Sequence, residues 1–433
     1  MNYIKEELKD GVKLHLLIND NFKTDYSVIF LSIPLKKENL SKNALITAVL
    51  KDGSKSYTNM KKITEALEMM YGASFECGID KSGDNIVLKF YISSINDKYL
   101  PEPNQNIIKS IEILTDIIFN PLIESNRFKE EYIEIEKNNL ELIINAEKDD
   151  KDLYAFERCI NIMYKNCGFG LGKYGEIEDL KSIKNEELYK YYKELIDTAK
   201  IDIYISGNLE KEKIINEIKN NALIKNLNPR NETTNKNHFK DEIKEKIAVP
   251  KSINEQMEIT QGKLVIGLDI LPNDIQDFRF STILFNAIFG NGVNSKLFQI
   301  VREKESLAYT AKSEYIVQKN NIFIRCGIEI KNYSKTVELI KRLLEDMKNG
   351  NFTEEDIQKA KEYVYAGIEA IEEEQDAQIV YLFGQELSKL PMTLEENRKY
   401  IEEIKKEDII KIANKIQINT IYFLENGGEN ANN

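Results

Sequence analysis

Imidazoles, the side chains that most often hold zinc or activate a nucleophile, are scarce in this sequence. Histidine occurs twice, as His15 and His238, and neither has a histidine partner at helical spacing. A zinc hydrolase needs imidazoles to bind the metal and a base to work on its water. Both histidines are therefore expected to be surface or hydrogen-bonded structural residues. The four cysteines, Cys77, Cys159, Cys167 and Cys326, have no C-x-x-C spacing and are expected to be reduced and mostly buried. Carboxylates such as Glu136 and Glu147 could gather a hard cation, Mg²⁺ or Mn²⁺ rather than zinc, but acidic helices are common and this is the weakest option. Gly168-x-Gly-x-Gly-Lys173 has the outline of a phosphate loop. It lacks G-x-x-x-x-G-K-[ST] and follows no clear strand, which argues against nucleotide binding.

The elements that must position any site come in two similar sets. Ser27–Ile33 has a strand pattern, Ala44–Leu50 and Thr58–Met70 helical ones, the latter closed by Gly72. A strand is expected over Ile86–Ile92, a helix over Ile107–Ile118 and a strand over Ile201–Gly207. The order recurs in the second half, with a strand over Lys263–Ile270, helices over Phe280–Phe289 and Ser295–Lys304, a strand over Ile322–Ile330 and a helix over Val337–Met347. Phe128-Lys-Glu-Glu-Tyr-Ile133 and Phe352-Thr-Glu-Glu-Asp-Ile357 stand at equivalent places before a long helix. Acidic residues at a helix start are favoured by the helix dipole, yet recurrence at the same place in the order points to duplication. The expected organisation is a first domain over 1–226, a polar linker over 227–253 and a second domain over 254–433. Each is expected to be α+β, a mainly antiparallel sheet covered by helices, with Glu425–Asn433 as a tail.

Composition narrows the classes. The chain has 433 residues, 42% of them hydrophobic and 30% charged, enough for two packed cores. A net charge of −12 argues against nucleic acid or an anionic membrane as partner. Glu372-Glu-Glu-Gln-Asp376 is expected to be a solvated helix face. No apolar run of membrane-spanning length occurs and the first residues lack a signal-peptide pattern, so a cytoplasmic location is expected.

One stretch is specific. Gly290-Asn-Gly292-Val-Asn-Ser295-Lys-Leu297-Phe298-Gln-Ile-Val-Arg302-Glu303-Lys304-Glu-Ser-Leu307-Ala308-Tyr309 resembles the pitrilysin/insulinase family of zinc peptidases, in its mitochondrial-processing-peptidase-like branch. That family shows a glycine-rich turn, Ser-x-Leu-Phe, Arg-Glu-Lys and Leu-Ala-Tyr in this order. Gly168–Gly175 with Ile177–Leu180, and Gly53 with Tyr71-Gly72, are further matches, so the resemblance spans nearly the whole chain. It implies the LuxS/processing-peptidase type of fold and a zinc motif His-x-x-Glu-His on the first helix. The implied positions hold Ala44, Thr47 and Ala48. The third ligand, a Glu in the family, falls near Ile143, with Glu141 or Glu147 as the other registers. The motif is degenerate, so no metal is expected in this chain and the family's peptide hydrolysis is not expected of it alone.

The resemblance also implies what is kept. In the family an Arg and a Tyr seven residues apart in the second domain hold the substrate backbone and stabilise charge on the attacked carbonyl. Arg302 and Tyr309 have that spacing, and a guanidinium and a phenol can both donate to a developing oxyanion. Gly290 and Gly292 are expected to form the tight turn before them and, secondarily, to line a substrate cavity. The expected function is that of a non-catalytic subunit that pairs with a zinc-bearing homologue, the zinc residing in that partner, and binds peptide substrate through Arg302 and Tyr309. A homodimer is the other assembly. The alternative function is a structural or peptide-binding scaffold with no part in hydrolysis, holding an extended peptide along a sheet edge.

Overall fold

In the computed structural model, which describes residues 2–165, 167–230, 244–272, 278–388 and 392–427, the apolar runs of the sequence become the middles of two sheets. The first contains β1 (Asn2–Lys9), β2 (Val12–Ile18), β3 (Thr24–Pro34), β4 (Ser74–Ser82), β5 (Asn85–Ile95) and β6 (Lys200–Gly207). Their order across the sheet is β1-β2-β6-β3-β5-β4. Every pairing is antiparallel except β2 with β6, which runs parallel from Val12 opposite Ile201 to Ile18 opposite Gly207. β3 is central and buried on both faces from Ser27 to Ile33, which is why its sequence shows an apolar run without polar alternation. Helices α1 (Leu40–Leu50), α2 (Met60–Glu68) and α3 (Asn106–Phe119) join it in one core, where Ile29, Leu31, Leu45, Ile63 and Leu114 are all buried. The chain continues through α4 (Glu130–Asp149), α5 (Lys151–Met163) and α6 (Asn185–Thr198).

The second sheet contains β7 (Lys251–Met257), β8 (Gly262–Ile270), β9 (Ala308–Ile316), β10 (Asn321–Ile328) and β11 (Ile416–Asn426). Its order is β9-β10-β8-β11-β7, and again a single pair, β11 with β7, is parallel. Read from β4 inward, the first sheet has the same order and the same parallel pair, with β1 added at its far edge. Helices α7 (Phe278–Phe289), α8 (Tyr333–Lys348) and α9 (Glu354–Glu373) build the second core with Leu264 and Ile266. The two sequence echoes run into the first turns of α4 and α9, and in both the Phe and the Ile are buried. The architecture is therefore the expected one, two similar α+β domains with mainly antiparallel sheets.

The compact units do not coincide with halves of the chain. One takes the described residues of Met1–Asn145, Leu171–Lys236 and Glu374–Gly384, the other those of Ala146–Gly170, Asn237–Glu373 and Gln385–Asn433. α5 thus completes the second unit. Its Ala155, Phe156, Cys159 and Ile160 meet Val265, Phe323, Tyr422 and Leu424, with Phe156 edge-on to Phe323 at 5.2 Å. The first turns of α10 (Gln375–Ser388) complete the first unit. Phe383 stacks on Phe30 at 4.0 Å, and the Gln375 amide bonds the hydroxyl and carbonyl of Thr24 and the hydroxyl of Ser206.

β7 starts at Lys251, inside the polar stretch expected to be linker. Ile253 and Met257 are partly covered there while Ser252, Asn254 and Gln256 are exposed, the weak alternation that suffices for an edge strand. His238 and the last residues of the expected tail lie outside the described residues, and the tail's first two residues belong to β11.

Candidate functional site

α1 is apolar almost all round, with Ala44, Leu45, Ile46, Thr47 and Ala48 buried. Positions 44, 47 and 48 share a face, as residues three and four apart on a helix do. Three methyl groups and one hydroxyl occupy it, and that hydroxyl donates back to the Asn43 carbonyl at 2.8 Å. The Thr47 carbonyl accepts from the Cys77 thiol at 3.7 Å. This is no ligand set for zinc.

The charged groups beside this face pair with each other. Lys51 Nζ lies 2.8 Å from Glu136 Oε2. Glu136 is only 3% exposed, and its other oxygen accepts from Asn139 at 2.9 Å. Asp52, at the end of α1, is pushed up to about 7, chiefly by burial and further by the Glu136 charge, against the pull of Lys51. Burial likewise pushes the Cys77 thiol up to about 11. Of the third-ligand positions, Ile143 is 42% exposed and Glu141 bridges to Lys181 at 2.6 Å. Glu136 and Glu147 are eleven residues apart in one continuous helix, a rise of about 16 Å, so one ion cannot bridge them. Among the described residues no group of three or more His, Cys, Asp or Glu is gathered for a metal.

His15 is structural. Fully buried on β2, it hydrogen-bonds through Nδ1 with the Tyr3 hydroxyl at 2.7 Å and through Nε2 with Asp202 at 3.1 Å. Its ring stacks on Tyr204 at 4.1 Å. Lys173, the lysine of the glycine-rich run, lies 3.6 Å from Asp80. Gly170 of that run is packed against the Tyr164 carbonyl, which a Cβ would meet at 2.4 Å.

The second-domain motif is built from a turn outward. A Cβ on Gly290 would meet the Ser313 hydroxyl at 2.3 Å, and Gly292 has φ +112°. Neither position tolerates a side chain without strain. The Gly292 carbonyl accepts from the Ser295 hydroxyl at 2.7 Å, which starts the π-helical segment Leu297–Lys304. Leu297 and Val301 point into the core and Arg302 points away from it. The Arg302 guanidinium lies 4.5 Å over the Phe298 ring, with Glu303 3.5 Å from its Nε. Ser306, at φ +51°, turns the chain into β9. Ala308 faces Ile328 and Thr310 faces Gly327 on β10, so Tyr309 is an extra residue in the ladder. Such a bulge re-aims a side chain, and Tyr309 is 59% exposed. Arg302 and Tyr309 thus stand clear of the core as hydrogen-bond donors able to meet an anionic oxygen.

The Lys51–Glu136 pair left no trace in the sequence, because its partners are 85 residues apart and a lone lysine and glutamate carry no pattern.

Comparison with known proteins gives a consistent result. The family model described as Peptidase M16 inactive domain matches residues 182–364. The probable inactive metalloprotease YmfF of Bacillus subtilis (strain 168) is 32% identical over 433 residues, covering 98% of this chain and 99% of that protein. The crystal structure of a conserved protein from Enterococcus faecalis V583 superposes with a TM-score of 0.88 at 26% identity, over 99% of this chain and 100% of that one. A peptidase M16 inactive domain from Pseudomonas fluorescens shares the fold with a TM-score of 0.77 at 16% identity, over 99% of both chains.

Proposed function

Since this chain belongs to the M16 peptidases, the pitrilysin/insulinase family, and is one of its inactive homologues, we propose that it works as the non-catalytic subunit of a two-chain peptidase. In this reading a homologous subunit carries the zinc. This chain supplies Arg302 and Tyr309, which hold the substrate peptide and donate to the oxygen of the attacked carbonyl. The observation that carries the proposal is a contrast. Positions 44, 47 and 48 are filled with buried groups that bind no metal, while Arg302 and Tyr309 remain exposed and oriented by a turn and a bulge. A structural relic would have no need of two exposed donors on so specific a framework. The expected location is cytoplasmic and the expected assembly a heterodimer.

The test starts with a tagged pull-down of the full chain from its native host, with zinc quantified per complex. A stoichiometric partner bearing His-x-x-Glu-His with about one zinc per pair is the expected result. In that complex Arg302→Ala should lower peptide turnover by about a hundredfold, the scale of one lost oxyanion donor, without loss of assembly. An unchanged turnover in the Arg302→Ala complex would sink the shared site. Peptide binding without turnover in any complex would move the chain to the scaffold class.

A further inference from the structure

Asparagine is followed by glycine at Asn291-Gly292, Asn349-Gly350 and Asn426-Gly427. In such a pair the glycine has no Cβ to shield its own nitrogen, so that nitrogen can approach the carbonyl carbon of the asparagine side chain. What holds the nitrogen decides whether it does. Gly350, just past α8, donates its N–H to the Met347 carbonyl at 3.2 Å, and Gly427, just past β11, donates to the Met257 carbonyl at 3.2 Å. The Gly292 N–H has no hydrogen-bond partner among the described residues.

The asparagine before Gly292 is held differently too. Asn291 is exposed, and its own N–H is fixed on the Asn286 carbonyl at 2.8 Å. Its side-chain oxygen accepts from the Tyr363 hydroxyl of α9 at 3.1 Å. A donor on that oxygen makes the amide carbon more electrophilic and stabilises the charge that an attack places on the oxygen. The Tyr363 ring lies over Gly292, where a Cβ would meet it at 3.0 Å. An unbonded nitrogen, a glycine and a hydroxyl on the carbonyl to be attacked thus meet at one exposed turn.

We propose that Asn291 is a site of spontaneous deamidation, promoted by Tyr363, which converts the glycine-rich turn from a neutral to an anionic form. The Gly292 nitrogen loses its proton to solvent and bonds to Cγ of Asn291. The Cγ–Nδ2 bond breaks, and that nitrogen leaves as ammonia with a proton taken from water. Water then opens the cyclic imide at either carbonyl, giving aspartate or isoaspartate. Water is consumed, ammonia is released and nothing is oxidised or reduced. The isoaspartate form lengthens the main chain by a methylene between Gly290 and Gly292, where the packing is already too tight for a side chain. The Gly292 carbonyl accepts from the N–H and the hydroxyl of Ser295 at 3.2 and 2.7 Å, so the change is passed to the start of the segment that bears Arg302. The chemistry needs neither a partner subunit nor a peptide, and so stands or falls separately from the proposed function.

The test incubates the full folded chain in heavy-oxygen water at mildly alkaline pH, and peptide mass spectrometry locates the labelled aspartate and isoaspartate. Asn291 should convert at least about tenfold faster than Asn349 or Asn426. In denaturant the rates should draw together, because every glycine nitrogen is then free. Tyr363→Phe keeps the ring over Gly292 and removes the donor. It should slow Asn291 by about tenfold, less than a buried oxyanion donor would because this turn is wet. Equal rates at Asn291, Asn349 and Asn426 in the folded chain overturn the proposal. So does a difference that persists in denaturant, which would belong to the local sequence, or a Tyr363→Phe rate equal to the parent's in a variant that circular dichroism shows to be folded.

Discussion

Asp52 carries two opposed demands in one carboxyl group. It closes α1 in a turn that leads to Gly53, yet it sits where burial and the Glu136 charge both disfavour its ionised form. Its value in the fold, about 7, lies above the ordinary 3.8. The stabilisation that comes from its protonated state is therefore complete below the ordinary value and is lost as pH rises through about 7. Asp52→Asn should remove that loss. Urea unfolding at several pH values should show parent and variant diverging from pH 4 upward, the variant ahead by roughly 1–2 kcal/mol at pH 8 once solvent screening at a partly exposed site is allowed for. Parallel profiles from pH 4 to 8 would show that Asp52 ionises freely. That positions 44, 47 and 48 lie on one helix face and hold no histidine was legible at this scale, because helical spacing and residue type alone fix it. The pairing of Lys51 with Glu136 was not, because only tertiary structure brings α1 and α4 together.

Among the elements, α10 does more than its sequence discloses. Its phenylalanine and glutamine look like ordinary helix residues, but Phe383 covers Phe30 and Gln375 satisfies backbone and hydroxyl groups of β3 and β6. Phe383→Ala should lower stability by about 3 kcal/mol, within the range for a buried phenylalanine. Chemical denaturation gives the total, and hydrogen exchange should locate the loosening in β3 and β6 ahead of β8. A loss below about 1 kcal/mol would mean that the face relaxes around the gap. Strands such as β3 and β8 were legible from apolar runs, and α4 and α9 from their acidic starts. Helical periodicity tells which residues face a core and is silent about which core, so the destinations of α5 and α10 had to come from the structure. β7 escaped notice because an edge strand with one face open needs only Ile253 and Met257.

For the molecule as a whole, duplication was visible in the sequence and the exchange of helices between the duplicates was not. The second sheet needs α5, whose Phe156 and Ile160 cover Phe323 and Tyr422. The first sheet needs Gln375–Gly384. A chain divided between Arg230 and Lys244 would leave each piece with one sheet face open and one stray amphipathic helix. Produced separately, the two pieces should bind a hydrophobic dye and aggregate. Mixed during refolding, they should recover a soluble one-to-one complex by light scattering. A separate piece that is monomeric and unfolds cooperatively would show that the exchanged helices are dispensable.

The same exchange sets a schedule for synthesis. When β6 leaves the ribosome the first sheet has all its strands, but the segment that covers Phe30 and Tyr204 is still more than a hundred residues from being made. At ordinary elongation rates that interval lasts about ten to thirty-five seconds. Through it the nascent chain carries an open aromatic face, and whatever shields that face decides how much of the protein is ever completed.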